Sequence, residues 1–159
     1  MISIRRFKKA DAATIAEIIL RCAEHSSFGL RSFTKQAFCG GLERGDYLVP
    51  ESNERMYVAV LHGTDVVGTI TVQDRTAQSP LRDAYVTNLF VDPEIQGRGI
   101  GGRLLQRAER YAAKLPGCTQ LSLIAADDAL LFYGLMGYNA IRSIESQTQN
   151  GVYMIKPLI

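Results

Sequence analysis

A dense run of glycines between a strand and a helix constrains this chain more than any other feature of its sequence. The segment Gln96-Gly-Arg-Gly-Ile-Gly-Gly-Arg103 holds four glycines within six positions. Each glycine inside a helix costs about 1 kcal/mol relative to alanine, so a plain structural turn explains the run poorly. The first N–H groups of a helix lack intrahelical partners and carry partial positive charge, and glycine lets a ligand approach the backbone closely. With Arg98 and Arg103 beside them, these features predict a site for a phosphate or pyrophosphate.

The residues on either side of this run have clear patterns. The apolar, β-branched stretch 84–91 predicts a strand, which Asp92-Pro93 ends because proline cannot donate to a sheet ladder. From Ile100 onward apolar residues recur at helical spacing as far as Tyr111, and Pro116-Gly117 ends this helix.

The rest of the chain alternates between shorter predicted elements. Further strands are predicted at 2–7, 56–61, 66–72, 121–124, 138–144 and 152–155, and further helices at 12–24 and 129–135. Asp11 is predicted to cap the first helix, and Ser32 or Thr34 to open a short second helix that ends near Gly40. Strands are grouped first and then interleaved with helices, with no repeat or linker. This order predicts a single domain over residues 1–159, with an α+β (mixed α/β) fold.

Composition and cysteine usage argue against several classes of protein. The net charge of +2 gives no argument for binding nucleic acid or a membrane, and no apolar run reaches the ~18 residues of a membrane span. The basic N-terminus is not followed by a signal-type apolar run. Cys22, Cys39 and Cys118 form neither a CxxC pair nor a disulfide framework. We therefore expect a cytoplasmic protein with reduced thiols.

The glycine run admits a second interpretation. Gly97-x-Gly99-x-x-Gly102 matches the dinucleotide-binding pattern G-x-G-x-x-G, so an oxidoreductase that uses a nucleotide cofactor is an alternative. In that fold the glycines follow their strand directly and open the domain, whereas here residues 93–96 intervene and the run lies past the middle of the chain. A P-loop is excluded because no Gly-Lys-Ser/Thr follows.

Two motifs resemble the GNAT superfamily of N-acetyltransferases. Gln96-Gly-Arg-Gly-Ile-Gly101 is similar to the signature Q/R-x-x-G-x-G/A, and Ala129-Leu-Leu-Phe-Tyr-Gly-Leu-Met-Gly-Tyr138 is similar to the segment A-x-x-x-Y-x-x-x-G-F/Y. Their order and approximate spacing are also those of the superfamily. The resemblance implies a twisted mixed sheet that splays beside strand 84–91. It also implies direct transfer of the acetyl group of acetyl-CoA to a primary amine of a small molecule or peptide, without a metal.

The resemblance implies roles for individual residues as well. Tyr133 stands where the superfamily has a tyrosine acid, which protonates the departing thiolate; reference pKa values of about 10 for a phenol and 8.5 for a thiol make this transfer feasible. Backbone groups of residues 89–91 would pair with the pantetheine arm, and the glycine run would bind the pyrophosphate. The implied cofactor-binding set is Leu89, Phe90, Val91, Gln96, Gly97, Arg98, Gly99, Ile100, Gly101, Gly102 and Arg103.

The sequence departs from the superfamily's pattern at two positions. Ala126 replaces an asparagine that often contacts the cofactor, and Tyr85 occupies the place of a glutamate base. Asp83 lies two residues earlier on the same strand face and is a tentative base, although a solvated charge at a strand end is an alternative. His25 is a weaker candidate, other members use ordered water, and residues 25–55 are expected to shape the amine pocket. Since no clear base is present, a non-catalytic CoA-binding regulatory module is a further alternative. The oligomeric state is open, and analogy with the superfamily alone suggests a homodimer.

Overall fold

The computed structural model describes residues 1–25, 50–141, 147–148 and 151–158. Within these ranges three α-helices occur: α1 (Ala12–His25), α2 (Ile100–Ala113) and α3 (Leu130–Leu135). Eight strands form one sheet. They are β1 (Ile2–Arg6), β2 (Glu54–Leu61), β3 (Asp65–Asp74), β4 (Asp83–Val91), β5 (Gln120–Ala125), β6 (Asn139–Ala140), β7 (Gln147–Thr148) and β8 (Gly151–Pro157).

The sheet is mixed, as the order of elements predicted. Its strand order is β1-β2-β3-β4-β5-β8-β6, and β7 also pairs with β8. Among the described strands only β4 and β5 run parallel, and α2 connects them, because parallel neighbours require a crossover. The α+β prediction is therefore confirmed.

The sheet opens into a cleft between β4 and β5. These strands pair only through residues 83–85 and 120–122. Within the described part of the chain, the rest of β4 pairs with β3 alone and the rest of β5 with β8. Thr87 is an extra residue in β4, because Val86 and Asn88 face consecutive residues of β3. Such a bulge increases local twist, so β4 turns away from β5 where their pairing ends. The splay predicted beside strand 84–91 is present.

Helices cover the two faces of the sheet. Leu104, Leu105 and Ala108 of α2 are fully buried against one face, as their helical spacing predicted. Ile15 and Ile18 of α1 are fully buried against the other. Each buried leucine or isoleucine contributes about 1.5–3 kcal/mol to folding, so both helices are held firmly over the central strands.

Some local predictions differ from the structure, and others lie outside the described residues. Asp11 was predicted to cap α1, but it is the last residue of a 3-10 turn (Lys9–Asp11) that precedes the helix. Its carboxylate accepts a hydrogen bond from the Lys8 N–H at 2.8 Å and forms an ion pair with Arg5, also at 2.8 Å. The predicted strand 138–144 is observed as Asn139–Ala140, and its later residues lie outside the described ranges. The predicted second helix and Cys39 also lie outside them.

Candidate active site

The cleft between β4 and β5 contains a cavity of about 590 Å³, a volume typical of sites for small molecules and cofactors. Four parts of the chain line it: β4, the glycine run with the first turn of α2, β5, and the segment that leads into α3. The lining residues include Val86, Thr87, Asn88, Leu89, Phe90, Val91, Gln96, Gly97, Gly99, Ile100, Gly101, Gly102, Leu123, Ile124, Asp128, Phe132 and Tyr133. Most of the cofactor-binding residues implied by the resemblance thus face one cavity.

Two of the four glycines shape the backbone at the mouth of this cavity. Gly97 and Gly99 have φ angles of 86° and 76°, which side chains adopt rarely, and a Cβ at either would meet no atom within 4 Å. The backbone conformation therefore requires glycine, while the space in front stays open. Since the first helical hydrogen bond runs from Arg103 N to Gly99 O, the N–H groups of 100–102 have no intrahelical acceptor. These groups form the surface that the sequence assigns to a pyrophosphate.

The other two glycines have a different role. A Cβ on Gly101 would lie 3.4 Å from the ring of Phe132, and one on Gly102 would lie 3.5 Å from the sulfur of Met136. Glycine here lets α3 approach the first turn of α2 closely. Arg98, inside the run, and Arg103, just after it, are exposed and do not line the cavity. They contribute charge near the mouth rather than contacts inside it.

The end of β4 is held from two sides. The carbonyl oxygen of Val91 accepts hydrogen bonds from Gln96 Nε2 at 3.1 Å and from Cys22 Sγ at 3.2 Å. Burial raises the pKa of the Cys22 thiol, so it remains a donor at neutral pH. Arg21 forms an ion pair with Asp92 at 3.1 Å. Helix α1 therefore fixes the residues that lead into the glycine run, a contact that no sequence pattern indicated.

Tyr133 faces the cavity from α3. Its side chain is 8% exposed and makes edge-on contacts with the rings of Phe132 and Tyr138, at centroid distances of 5.0 and 5.9 Å. Burial raises the pKa of Tyr133 to about 12, so its phenol is protonated over the whole physiological range. The cavity is thus lined by a tyrosine whose phenol is neutral and can donate a proton.

Helix α3 is anchored by a lysine from β8. Lys156 Nζ donates to the Met136 carbonyl at 3.0 Å and to Glu109 of α2 at 2.8 Å. Gly137 makes this possible, because its φ is 95° and a Cβ there would lie 3.2 Å from Lys156 Cε. The sequence marked Gly137 as a helix terminator but gave no signal for Lys156, whose partners come from distant parts of the chain.

Asp83, the candidate base, does not line the cavity. Its carboxylate is fully buried and accepts from Arg75 Nη2 and Ser122 Oγ, both at 2.5 Å. Burial alone would raise the pKa of this carboxyl, but the two donors outweigh it and hold the pKa below its ordinary value. Arg75 also stacks over the ring of Tyr85 at 4.4 Å, and burial raises the pKa of that tyrosine. Since neither Asp83 nor Tyr85 lines the cavity, both are poorly placed to accept a proton from a substrate there.

Other predicted site features fall in different places. Among the described residues that line the cavity, Asp128 is the one carboxylate. It lies on the 3-10 turn Asp127–Ala129, which directly follows Ala126. The side chain of His25 and most of the segment expected to shape the amine pocket lie outside the described residues. No cluster of three or more potential metal ligands occurs in the described ranges, and none of the helices there is long and apolar enough to span a membrane.

Comparison with known proteins identifies the family. The model of the acetyltransferase (GNAT) family matches residues 17–138, and the chain belongs to this family. The fold is similar to that of PaiA N-acetyltransferase from Thermoplasma acidophilum in complex with coenzyme A, with 18% identity, 99% of each chain covered and a TM-score of 0.78.

Two further solved structures share the fold. YncA from Salmonella typhimurium, a putative acetyltransferase with acetyl-CoA, has 20% identity over 99% of this chain and 94% of that one, with a TM-score of 0.70. Spermidine N-acetyltransferase from Vibrio cholerae, in complex with CoA and spermine, has 17% identity over 99% and 95%, with a TM-score of 0.67. No curated protein matches the chain by sequence.

Proposed function

We propose that this chain transfers the acetyl group of acetyl-CoA to a primary amine of a small molecule or peptide. One observation carries the proposal: a single cavity is lined by the glycine run, by the β4 edge and by the buried Tyr133. A site with this layout suits a long ligand that has an anionic end and a reactive end. Family membership indicates that this ligand is an acyl-CoA.

The length of the cleft fits that ligand. The pantetheine arm between pyrophosphate and sulfur has about a dozen bonds, so it is about as long as four residues of extended chain. With its phosphate end at the glycine run and its arm beside residues 89–91, the sulfur would lie near Thr87. Beyond residue 85 the β5 side of β4 carries no paired strand among the described residues, so backbone groups there can pair with the amides of the arm.

The proposed reaction needs one positioned acid. The amine attacks the thioester carbonyl, a C–N bond forms and the C–S bond breaks. Tyr133 donates its proton to the sulfur, and the proton that the amine loses passes to solvent, from which Tyr133 is reprotonated. This route needs no protein base, in keeping with the placement of Asp83 outside the cavity.

A screen for amine-dependent thiol release tests the proposal. Polyamines, aminoglycosides, amino acids and peptides with free N-termini should be offered with acetyl-CoA, and at least one class should accelerate release of the CoA thiol. Acetyl-CoA should also raise the melting temperature, because a ligand bound only to the folded state stabilises it. An unchanged melting temperature at millimolar acetyl-CoA would contradict the proposal.

The second candidate is a non-catalytic CoA-binding regulatory module. It is favoured by one observation, that Asp128 is the one carboxylate among the described lining residues and no histidine or lysine accompanies it. This candidate predicts the same stabilisation by acetyl-CoA but no thiol release with any amine. The dinucleotide alternative predicts that NAD(P) stabilises the chain more than acetyl-CoA does.

We also propose that the protein is cytoplasmic, since Cys22 and Cys118 are free thiols. A homodimer remains a prediction by analogy with the family, and light scattering at several concentrations would test it.

A further inference from the structure

A buried polar cluster lies at the closed end of the cleft. It consists of Arg75, from the turn after β3, with Asp83 and Tyr85 of β4 and Ser122 of β5; we call it the apex cluster. Asp83 accepts hydrogen bonds from Arg75 and Ser122, and Arg75 stacks on Tyr85. Tyr85 and Ser122 are the last paired residues of the parallel stretch. The cluster therefore sits at the point where the sheet divides.

The cluster joins the two strands through a buried charge. The hydroxyl of Ser122 crosses from β5 to the Asp83 carboxylate on β4, and it also lies 3.3 Å from the Ala84 carbonyl oxygen. Opening the sheet by one more residue would separate Ser122 from Asp83 and leave a fully buried carboxylate with one donor fewer. Losing a partner of a buried charge is strongly unfavourable. Further opening of the cleft is therefore opposed by this cluster as well as by backbone pairing.

The inner end of the cavity lies directly beside the cluster. On the two strands, the lining residues closest in sequence to the apex cluster are Val86 and Leu123, which follow the last paired residues Tyr85 and Ser122. If the sulfur lies near Thr87, the acyl group lies beside Val86 and Leu123, which are next in sequence to Tyr85 and Ser122 of the apex cluster. Val86 and Leu123 are themselves buried, so the space beyond the acyl carbon is bounded by packed side chains.

We propose that the apex cluster limits the acyl group that this protein accepts to a short one, such as acetyl. The inference rests on the proposed function, because it requires an acyl-CoA in the cleft. In this account Asp83 is a positioning residue and takes no proton from the substrate. Weakening the cluster should let β4 and β5 separate further and admit acyl groups longer than acetyl.

Binding of a series of acyl-CoAs tests this without knowledge of the acceptor. Calorimetric titration of the intact protein should use CoA, acetyl-CoA, butyryl-CoA and hexanoyl-CoA. For the wild type, butyryl-CoA should bind at least about tenfold more weakly than acetyl-CoA, since each excess methylene is strongly selected against in a closed pocket. Ser122→Ala should bring the affinities for butyryl-CoA and acetyl-CoA closer together, and Asp83→Asn should act in the same direction.

A control variant separates a change at the apex from a general loss of stability. Thr69→Val also removes a fully buried hydroxyl, which donates to the Tyr57 carbonyl at 3.1 Å, but this hydroxyl joins β3 to β2 and neither residue lines the cavity. The ratio of its affinities for acetyl-CoA and butyryl-CoA should equal that of the wild type.

The outcomes are distinct. Equal binding of acetyl-CoA and hexanoyl-CoA to the wild type would overturn the inference even if no variant folds. An unchanged ratio in a folded Ser122→Ala variant would also overturn it. Failure of every member of the series, CoA included, to bind would instead refute the proposed function.

Discussion

Replacement of Tyr133 by phenylalanine separates the chemistry of its hydroxyl from the packing of its ring. The ring contacts with Phe132 and Tyr138 are preserved, and the side chain is almost fully buried, so phenylalanine fills the same volume. We expect the free energy of unfolding and the affinity for acetyl-CoA to change little. Turnover should fall, because the lost hydroxyl acts only in the chemical step.

The size of the effect follows from the acidity of the phenol. With a pKa of about 12, Tyr133 lies about 3.5 units above a reference thiol of about 8.5, which corresponds to an uphill transfer of about 5 kcal/mol. The transfer is feasible because the same buried cleft disfavours the free thiolate and raises its proton affinity. A positioned acid contributes about 10²–10⁴-fold to rate, so kcat should fall by that range.

Since the phenol stays protonated below about pH 11, the wild-type rate should rise with pH as the amine deprotonates and should show no alkaline decline from Tyr133 below that pH.

Thiol release with the most active amine of the screen provides the assay, and Tyr138→Phe provides the matched control. Tyr138 is also a buried phenol, but its hydroxyl lies 3.4 Å from Glu109 and does not face the cavity. Its replacement should lower stability by about 1 kcal/mol and leave kcat within about twofold. Wild-type turnover in Tyr133→Phe, or an equal loss in both variants, would refute the assignment of Tyr133 as the acid.

Three further predictions concern the parts that hold the site. Gly99→Ala should cost about 1–2 kcal/mol in urea unfolding because of its left-handed backbone and should weaken acetyl-CoA binding; unchanged affinity would show that this backbone is not part of the ligand site. Asp83→Asn should lower stability by about 2–3 kcal/mol at pH 7, less than for a fully buried pair because Arg75 is partly exposed. The Asp83 carboxylate stabilises the fold above its unfolded pKa of about 3.9, and this contribution disappears as pH falls through its lower folded pKa, so the two proteins should converge in stability in acid; a constant difference would contradict the ion pair. Lys156→Met should reduce kcat more than acetyl-CoA affinity by loosening α3, and equal effects on both would argue against a positioning role.

The sequence predicted those parts of the fold that depend on local patterns. Helix α2 and strand β4 were predicted nearly to the residue, because apolar periodicity, Pro93 and the terminal glycine are all local signals. The grouping of these elements into a mixed sheet followed from their order. The bulge at Thr87 could not be predicted, since it is defined only by pairing with β3.

The features that sequence reasoning missed all involve residues far apart in the chain. The position of Asp83 at the start of a strand suggests an exposed charge. Its burial becomes evident only in the fold, which brings Arg75 and Ser122 to it. The contact of Cys22 with the Val91 carbonyl joins residues that are 69 positions apart. The glycine run was interpreted as one anion site, and the structure gives Gly101 and Gly102 a further role, in packing against Phe132 and Met136, that no local pattern indicated.

Mass analysis of the acceptor tests the central claim most directly. The protein should be incubated with acetyl-CoA carrying an isotopic label in its acetyl group and with the amine that gives the fastest thiol release. We predict that the amine gains one labelled acetyl group for each CoA thiol released, and that Tyr133→Phe slows both to the same extent. Thiol release without acetylated amine would contradict the proposal, because it would mean that water accepts the acetyl group.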